Sequence, residues 1–339
     1  MDGIIVIDKP EGWTSHDVVA RSRRLLRTKR VGHTGTLDPF ATGVLVLLVG
    51  RATRLAQFLS GAEKEYEATI RLGYATDTGD LTGARREEDD EARPDAGARP
   101  SGFDCAALGR EEAEAAFAPL RGEIEQVPPM YSAKKVGGKK LYELARRGER
   151  VERAAVRIRV SAFELLAGEG GEEGGAVGRR NEDGTCDVRA RVVCSAGTYV
   201  RALAESFGAG LGVGAHLAAL RRTRAGSFDL SGAVTVEELR RLSEGGRAGE
   251  ALIPLEAALP ELPSVHLNAE GSRRVRHGAA ITATAVAASA ARPAVWDDGE
   301  RVRLFDDAGR LAAVAVYDAG RALLRPRVML AAAEGADEK

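Results

Sequence analysis

The chain has 339 residues, 44% of them apolar and 29% charged, with a formal net charge of −1. That length accommodates one large domain with a small one, or two medium ones, and no stretch approaches the roughly 18 to 20 uninterrupted apolar residues of a membrane helix. The near-zero charge hides segregation. Residues 77–104, 169–187 and 334–339 together carry −11, which leaves +10 on the rest, and residues 134–159 hold ten basic side chains against three acidic ones. A phosphate-binding face with solvated acidic loops produces such a pattern, and so does a merely soluble surface. Cys105, Cys186 and Cys194 are odd in number and lack zinc-knuckle spacing. They are expected to be unpaired thiols in a reducing cytoplasm, with no structural metal.

In chain order, Met1–Pro10 is too short and acidic for a signal peptide and reads as a strand entering a turn. Ser15–Leu26 is a helix, with Ser15 as N-cap and Val18, Val19, Leu25 and Leu26 on one side, followed by Arg27, Lys29 and Arg30. Ala52–Leu59 reads as a short helix, and Lys64–Leu72 alternates as a half-buried strand does. Residues 85–102 form an acidic, Pro/Gly-rich mobile loop; Arg110–Leu120 is a helix; residues 168–183 are a second low-complexity insertion. Val188–Cys194 is a strand, the helix after it carries Leu203 and Phe207 on one face, and Leu217–Arg224 is a short helix with a basic end. A helix-capable segment from Val234 reaches Pro254, and Pro260-Glu261-Leu262-Pro263 marks a domain boundary. Val302–Val316 is a hairpin turning at Asp307-Ala308-Gly309 within a small β-rich C-terminal domain, and no internal repeat is present.

The most informative stretch is Val31–Gly43, with Asp38 set among glycines, threonines and Pro39 just before the apolar run Val44–Val49. Gly32, Gly35 and Gly43 open backbone angles closed to other residues, and Pro39 fixes its own φ. A shaped loop running into a buried element holds one acid rigidly over a cleft. An isolated Leu-Asp-Pro would read as a cap or an Asx-turn instead. The wider context, Gly-His-Thr-Gly-x-Leu-Asp-Pro-x-Ala-Thr-Gly, resembles the signature of the TruB-type tRNA pseudouridine synthases, with Phe40 where Leu is common. The resemblance implies that Asp38 is catalytic.

Further blocks follow in the family's order, from about residue 3 to 242. Asp8-Lys9-Pro10-x-Gly12-x-Thr14-Ser15 is similar to the first block, which buttresses the active-site loop. Lys64-x-Tyr66 with Arg71-Leu72-Gly73-x-x-Thr76-Asp77-Thr78-x-Asp80 is similar to the second, whose Tyr stacks on the target base and is the candidate proton acceptor. Taken alone, Tyr66 would be a core or interface aromatic. The segment Val127–Arg146, which on its own reads as a solvated amphipathic helix, resembles the basic thumb that clamps RNA, and this places Lys134 at the substrate. Gly197-Thr198-Tyr199-Val200-Arg201 is similar to the block whose Arg pairs with the catalytic Asp and whose Tyr lies in the base pocket. Gly214-Ala215-His216-Leu217-x-x-Leu220-Arg221-Arg222 resembles the segment that closes the pocket, with Leu220 against the base. Out of context, Arg201 would be a surface residue and His33 a satisfied core or turn histidine; the resemblance sets His33 against the substrate nucleotide.

The expectation is therefore an α+β pseudouridine-synthase fold with a mixed, mainly antiparallel central sheet flanked by helices. A catalytic domain spans residues 1–259, a small β-rich PUA-like RNA-binding domain spans 264–330, and 331–339 is a disordered tail. The resemblance implies isomerisation of a uridine in the T loop of tRNA, position 55, through base flipping and an Asp-dependent break and remaking of the glycosidic bond. Asp38, Tyr66 and Arg201 are the catalytic set, and His33, Lys64, Tyr66, Lys134, Tyr199 and Leu220 the substrate contacts. That chemistry suits the residues: the sugar centre becomes electron-poor, which a carboxylate nucleophile or electrostatic partner answers, and a later C5 proton needs a base. No redox step occurs, so no cofactor or metal is expected. The partner is the tRNA T stem-loop, with no membrane, and the chain is expected to be a cytoplasmic monomer. A non-catalytic tRNA-binding or tRNA-folding protein on the same fold is the alternative, although a pure binder has no use for a buried acid. A glycosidase would want a second carboxyl beside Asp38, and none stands in its loop.

Overall fold

The computed structural model describes residues 1–86, 105–132, 134–145, 147–149, 151–166, 177–282 and 296–331. Its centre is set by two apolar runs. Strand β1 (Gly3–Lys9) leads to helix α1 (Ser15–Leu25), to the short strand β2 (Val31–His33), and then to β3 (Thr42–Val49). β1 and β3 pair antiparallel from Gly3↔Val49 to Lys9↔Gly43. β3 is buried on both faces, as its continuous Val/Leu run requires. Each fully buried Leu there contributes about 1.5–3 kcal/mol over exposure.

Helix α2 (Ala56–Leu59) precedes β4 (Lys64–Leu72), whose burial alternates residue by residue. Beyond it lie α3 (Arg110–Phe117), β5 (Gly122–Gln126), the two-residue strands β6 (Lys135–Val136) and β7 (Lys139–Lys140), α4 (Leu141–Ala145) and β8 (Val156–Leu165). Then come β9 (Gly178–Arg180), β10 (Cys186–Cys194), α5 (Val200–Gly210), β11 (Ala215–Ala225), β12 (Phe228–Asp229), β13 (Ala233–Thr235) and α6 (Val236–Glu244). Among the described residues the main sheet runs β13-β1-β3-β11-β4-β10-β8-β5, with β2, β9 and β12 attached at its margins. Among the described residues β1–β13 and β3–β11 are the parallel pairs of this sheet, so it is mixed and mainly antiparallel, as expected. Val18, Val19 and Leu239 bring α1 and α6 onto the core around Ile5, Ile7 and Leu47, and Phe207 brings α5 onto its Phe117–Phe163 end.

The C-terminal part is β14 (Ser264–His266), α7 (Ala269–Arg276), β15 (Arg301–Phe305), β16 (Leu311–Asp318) and β17 (Leu323–Met329), ordered β14-β15-β16-β17 in a second sheet. The expected hairpin turns at Gly309, which sits at φ +75° where glycine is favoured. Phe305, Leu311, Val314 and Val328 share a core with Ile4, Val6, Val44 and Val46 of the main sheet. Arg51 and Arg54 donate to the carbonyls of Leu330 and Met329 at 2.7 and 2.6 Å.

Several expectations change. Leu217–Arg224 is not a helix but the middle of β11, held between β3 and β4. A bulge between Leu217 and Ala219 turns both Leu217 and Leu220 into the core, so their spacing of three imitates a helical face. The N-cap of α1 is Thr14, in a capping box with Asp17, and not Ser15. Residues 50–55 are a 3-10 turn rather than the start of a helix from Ala52. Residues 178–180 of the second insertion form β9, paired to β10, and Arg85 bridges Thr76, so each insertion is shorter than its composition suggests. Cys105 and Cys186 are disulfide-bonded across 81 residues, against the expectation of unpaired thiols, while Cys194 remains a buried thiol. The chain topology brings the two together, and spacing gives no sign of it. The rest of the acidic loop (87–102), residues 168–176 of the second insertion, and 332–339 of the tail lie outside the described residues. No helix among the described residues is long and apolar enough to cross a membrane.

Candidate active site

The Asp38 loop is pinned from five directions. Arg222 is 2% exposed and donates through Nη2 to the Gly35 carbonyl at 3.1 Å and through Nε to the Val44 carbonyl at 2.6 Å. The Leu37 amide donates to Ser15 Oγ at 2.8 Å. The fully buried Lys9 ammonium donates to the carbonyls of Pro10, Trp13 and Pro39 at 2.9, 2.6 and 3.2 Å, and the Gly12 amide reaches Pro39 at 2.8 Å. Burial pushes Lys9 down to about 8. Where the loop enters β3, Gly43 has φ +98°, and a Cβ there would lie 2.2 Å from the Arg222 carbonyl oxygen. Only glycine lets β3 and β11 approach this closely.

The fifth restraint is Arg201, on the first turn of α5 and 4% exposed. Its Nε lies 2.9 Å from Asp38 Oδ2, and Nη2 donates to Oδ1 at 3.3 Å. The same guanidinium donates to the carbonyls of Thr78 at 2.7 Å and Tyr131 at 2.8 Å. Asp80 stands 3.8 Å from Arg201 Nη1 and is itself buried. Its Oδ1 accepts from Thr78 Oγ1, Thr82 Oγ1 and the Thr82 amide at 2.9, 2.6 and 3.0 Å, so this second carboxylate is committed to the frame. The Asp38 side chain keeps 36% of its surface toward the cleft, yet the protein packed around it desolvates the carboxylate. That burial pushes its pKa above the ordinary carboxylate range; Arg201 pulls it down, and Asp80 adds to the rise. Arg201 thus opposes the proton uptake that burial favours and aims the carboxylate oxygens.

Asp38 opens into a cleft of about 270 Å³ that Tyr66, Tyr199, Leu220 and Lys64 also line. That lies just below the roughly 300–1,000 Å³ of ligand pockets and suits one extruded nucleoside, not a duplex. Tyr66 faces Arg222 in register across β4 and β11 and is 8% exposed; burial pushes its phenol upward, so the ring is neutral at physiological pH. Lys64 is 6% exposed, donates to the Ser60 carbonyl at 2.7 Å, and is pushed down to about 8 by burial. Of the residues singled out in the sequence, Asp38, Tyr66, Arg201, Tyr199, Leu220 and Lys64 meet here. His33 and Lys134 do not line the cleft: His33 sits on β2 beside it, with its imidazole pKa lowered by burial, and Lys134 precedes β6. Between residues 134 and 145 the thumb-like segment is a β6–β7 hairpin followed by α4, not a continuous amphipathic helix.

Sequence reasoning missed Arg222, Ser15 and Asp80 as parts of the site. Reading β11 as a strand would have found Arg222, two residues from Leu220 and therefore on its face. Ser15 looked like an ordinary cap, and Asp80 stood in a recognised block without a role.

A mixed, mainly antiparallel sheet flanked by helices is the fold of the pseudouridine synthases. Over 98% of this chain it superposes with TM-score 0.64 and 26% identity on 87% of a chain in the crystal structure of the archaeal box H/ACA sRNP Nop10–Cbf5 complex. It superposes with TM-score 0.66 and 26% identity on 86% of a chain in an H/ACA RNP bound to a substrate RNA containing 2′-deoxyuridine. Residues 23–200 match the N-terminal domain of the TruB family pseudouridylate synthases, and residues 201–260 match the tRNA pseudouridylate synthase B C-terminal domain. A protein named tRNA pseudouridine synthase B from Ralstonia nicotianae is 43% identical over 96% of this chain and 92% of its own. One of the same name from Geobacillus kaustophilus is 46% identical over 83% and 91%. The chain belongs to the TruB family of pseudouridylate synthases, and is therefore an enzyme, an isomerase of uridine in RNA.

Proposed function

We propose that the chain isomerises the T-loop uridine of tRNA, position 55, with Asp38 as the catalytic carboxylate. The observation that carries this reading is the 2.9 Å contact between Asp38 and the buried Arg201 at the mouth of a cleft walled by Tyr66 and Leu220. The uridine leaves its stack and enters the cleft, at a cost of a few kcal/mol offset by stacking and backbone contacts. The ionised Asp38 meets the ribose as the N1–C1′ bond breaks. The base then turns, C5 bonds to C1′, the C5 proton leaves, and N1 takes up a proton, so atoms balance with no redox change. Tyr66 stacks on the base through its neutral ring, and its hydroxyl is the candidate acceptor for the C5 proton, passing its own proton to solvent in the cleft as it takes that one. Tyr199 lies in the same pocket, Leu220 closes it, and His33, Lys64 and Lys134 contact the RNA around it. The basic segment 127–153 holds phosphates of the T stem, and the second sheet, within residues 264–330, acts as a PUA-like RNA-binding module. The enzyme works as a cytoplasmic monomer.

Base-resolved mapping of pseudouridine in a transcribed tRNA tests this. Wild-type protein is expected to modify the T-loop uridine alone, and Asp38→Asn to bind the tRNA and leave it unmodified. Product from Asp38→Asn, or product elsewhere in the tRNA, would overturn the assignment.

A further inference from the structure

The start of α5, which carries Arg201, has no side-chain cap of its own: its N-cap is Tyr199, whose side chain makes no capping bond. The job falls to Gln126, the last residue of β5 and 6% exposed. The Tyr199 amide donates to Gln126 Oε1 at 2.8 Å, and Gln126 Nε2 donates to the Tyr199 carbonyl at 3.1 Å. One side-chain amide thus takes both backbone groups of the residue two before Arg201, as a neighbouring strand would. Five residues beyond Gln126, the Tyr131 carbonyl accepts from Arg201 Nη2 at 2.8 Å. Pro128 and Pro129 stiffen the link between these two anchors. The link leads directly into the basic β6–β7 hairpin, so the root of the RNA-holding segment grips the catalytic arginine at its backbone and at its guanidinium.

We infer that Gln126 is a positioning residue for catalysis: its amide sets the first turn of α5 and thereby aims Arg201 at Asp38, tying the seat of the thumb-like segment to the catalytic ion pair. The inference rests on the reading of Asp38 given above. Without the amide, the Tyr199 turn is free to rotate and the guanidinium loses its angle to the carboxylate, while the basic phosphate-holding segment keeps its surface. The groups facing Asp38 are Arg201 from α5, Asp80 from the turn after β4, Tyr66 from β4 and Lys9 from β1. Of the two cations among them, Arg201 is the one that Gln126 governs.

The test is single-turnover pseudouridine formation at saturating full-length tRNA across pH, with tRNA affinity measured in parallel, for Gln126→Met and Gln126→Glu. Gln126→Met is expected to slow the chemical step about tenfold or more while affinity stays within about twofold of wild type. Its acid limb should move to higher pH, because an Asp38 less well faced by Arg201 holds its proton longer. Gln126→Glu keeps one acceptor for the Tyr199 amide and should fall between. A purely structural role predicts fewer folded molecules, each with the wild-type rate and acid limb, and that result would overturn the inference. If Gln126→Met does not fold, Gln126→Glu is read by the same criteria; failure of both to fold assigns the amide to the fold and also overturns it. Wild type and Asp38→Asn run alongside: an inactive wild type or an active Asp38→Asn would sink the reading of Asp38, a failure distinct from that of Gln126.

Discussion

Ser15 and Leu37 exchange two hydrogen bonds across 22 residues of chain: the Leu37 amide donates to Ser15 Oγ at 2.8 Å, and the hydroxyl donates to the Leu37 carbonyl at 3.2 Å. The first residue of α1 therefore holds the residue before Asp38, and the Thr14–Asp17 capping box leaves Ser15 free to do so. Ser15→Ala leaves a buried amide and carbonyl unmatched, at a cost of about 1–3 kcal/mol. Turnover should fall about tenfold or more through a loosened Asp38, with tRNA affinity close to wild type. Stopped-flow binding beside product formation checks this, and an equal loss in both would contradict it.

The pH profile follows from Asp38. Burial raises its pKa, so the ionised form that the proposed reaction uses is lost as pH falls through a midpoint above the ordinary carboxylate value of about 3.9. The rate should therefore drop on the acid side earlier than a solvated aspartate would allow. Asp80→Asn removes a negative neighbour and should draw the Asp38 limb to lower pH, while also slackening Arg201, so the plateau rate falls as well. A limb that moves upward in Asp80→Asn would show that Asp80 acts chiefly by holding Arg201 in place.

Arg201→Lys keeps the charge and discards the fork. A lysine cannot face both oxygens of Asp38 while also reaching Thr78 and Tyr131, so the turnover number should fall about a hundredfold. Measured binding of the tRNA should change far less, since the side chain is buried beneath the cleft. Retained turnover in this variant would mean that charge alone suffices.

Gly43→Ala tests the β3–β11 contact. A methyl 2.2 Å from the Arg222 carbonyl cannot be accommodated without moving backbone, and φ +98° is strained for alanine as well. Destabilisation of more than about 3 kcal/mol is expected in chemical denaturation, together with loss of activity. A change below about 1 kcal/mol would show that the two strands part easily.

Charge reversal on the thumb-like segment addresses the RNA. Lys139 and Arg147 are exposed. Lys139→Glu with Arg147→Glu should weaken tRNA binding and flatten the slope of log affinity against log salt by about one for each lost phosphate contact. An unchanged slope would remove this segment from the interface.

Much of this protein was legible in the order of its residues. The strand Lys64–Leu72 announces itself, because a half-buried strand must alternate, whereas the apolar run Val44–Val49 marks only a buried element, and its pairing with β1 makes it a strand. The place of Asp38 at a cleft was legible as well, since glycine, proline and threonine write a shaped loop into a short stretch. Other features have no local signature. The bulge in β11 made Leu217 and Leu220 look helical, and only its pairing with β4 settles the register. The Cys105–Cys186 bond, the Ser15–Leu37 exchange and the hold of Gln126 on Tyr199 join positions 81, 22 and 73 residues apart. Which distant groups face each other, and so how far burial lifts the Asp38 carboxyl and how Arg201 restrains it, is decided when the strands choose their neighbours. Composition and spacing act along the chain, whereas desolvation and hydrogen-bond geometry act through space.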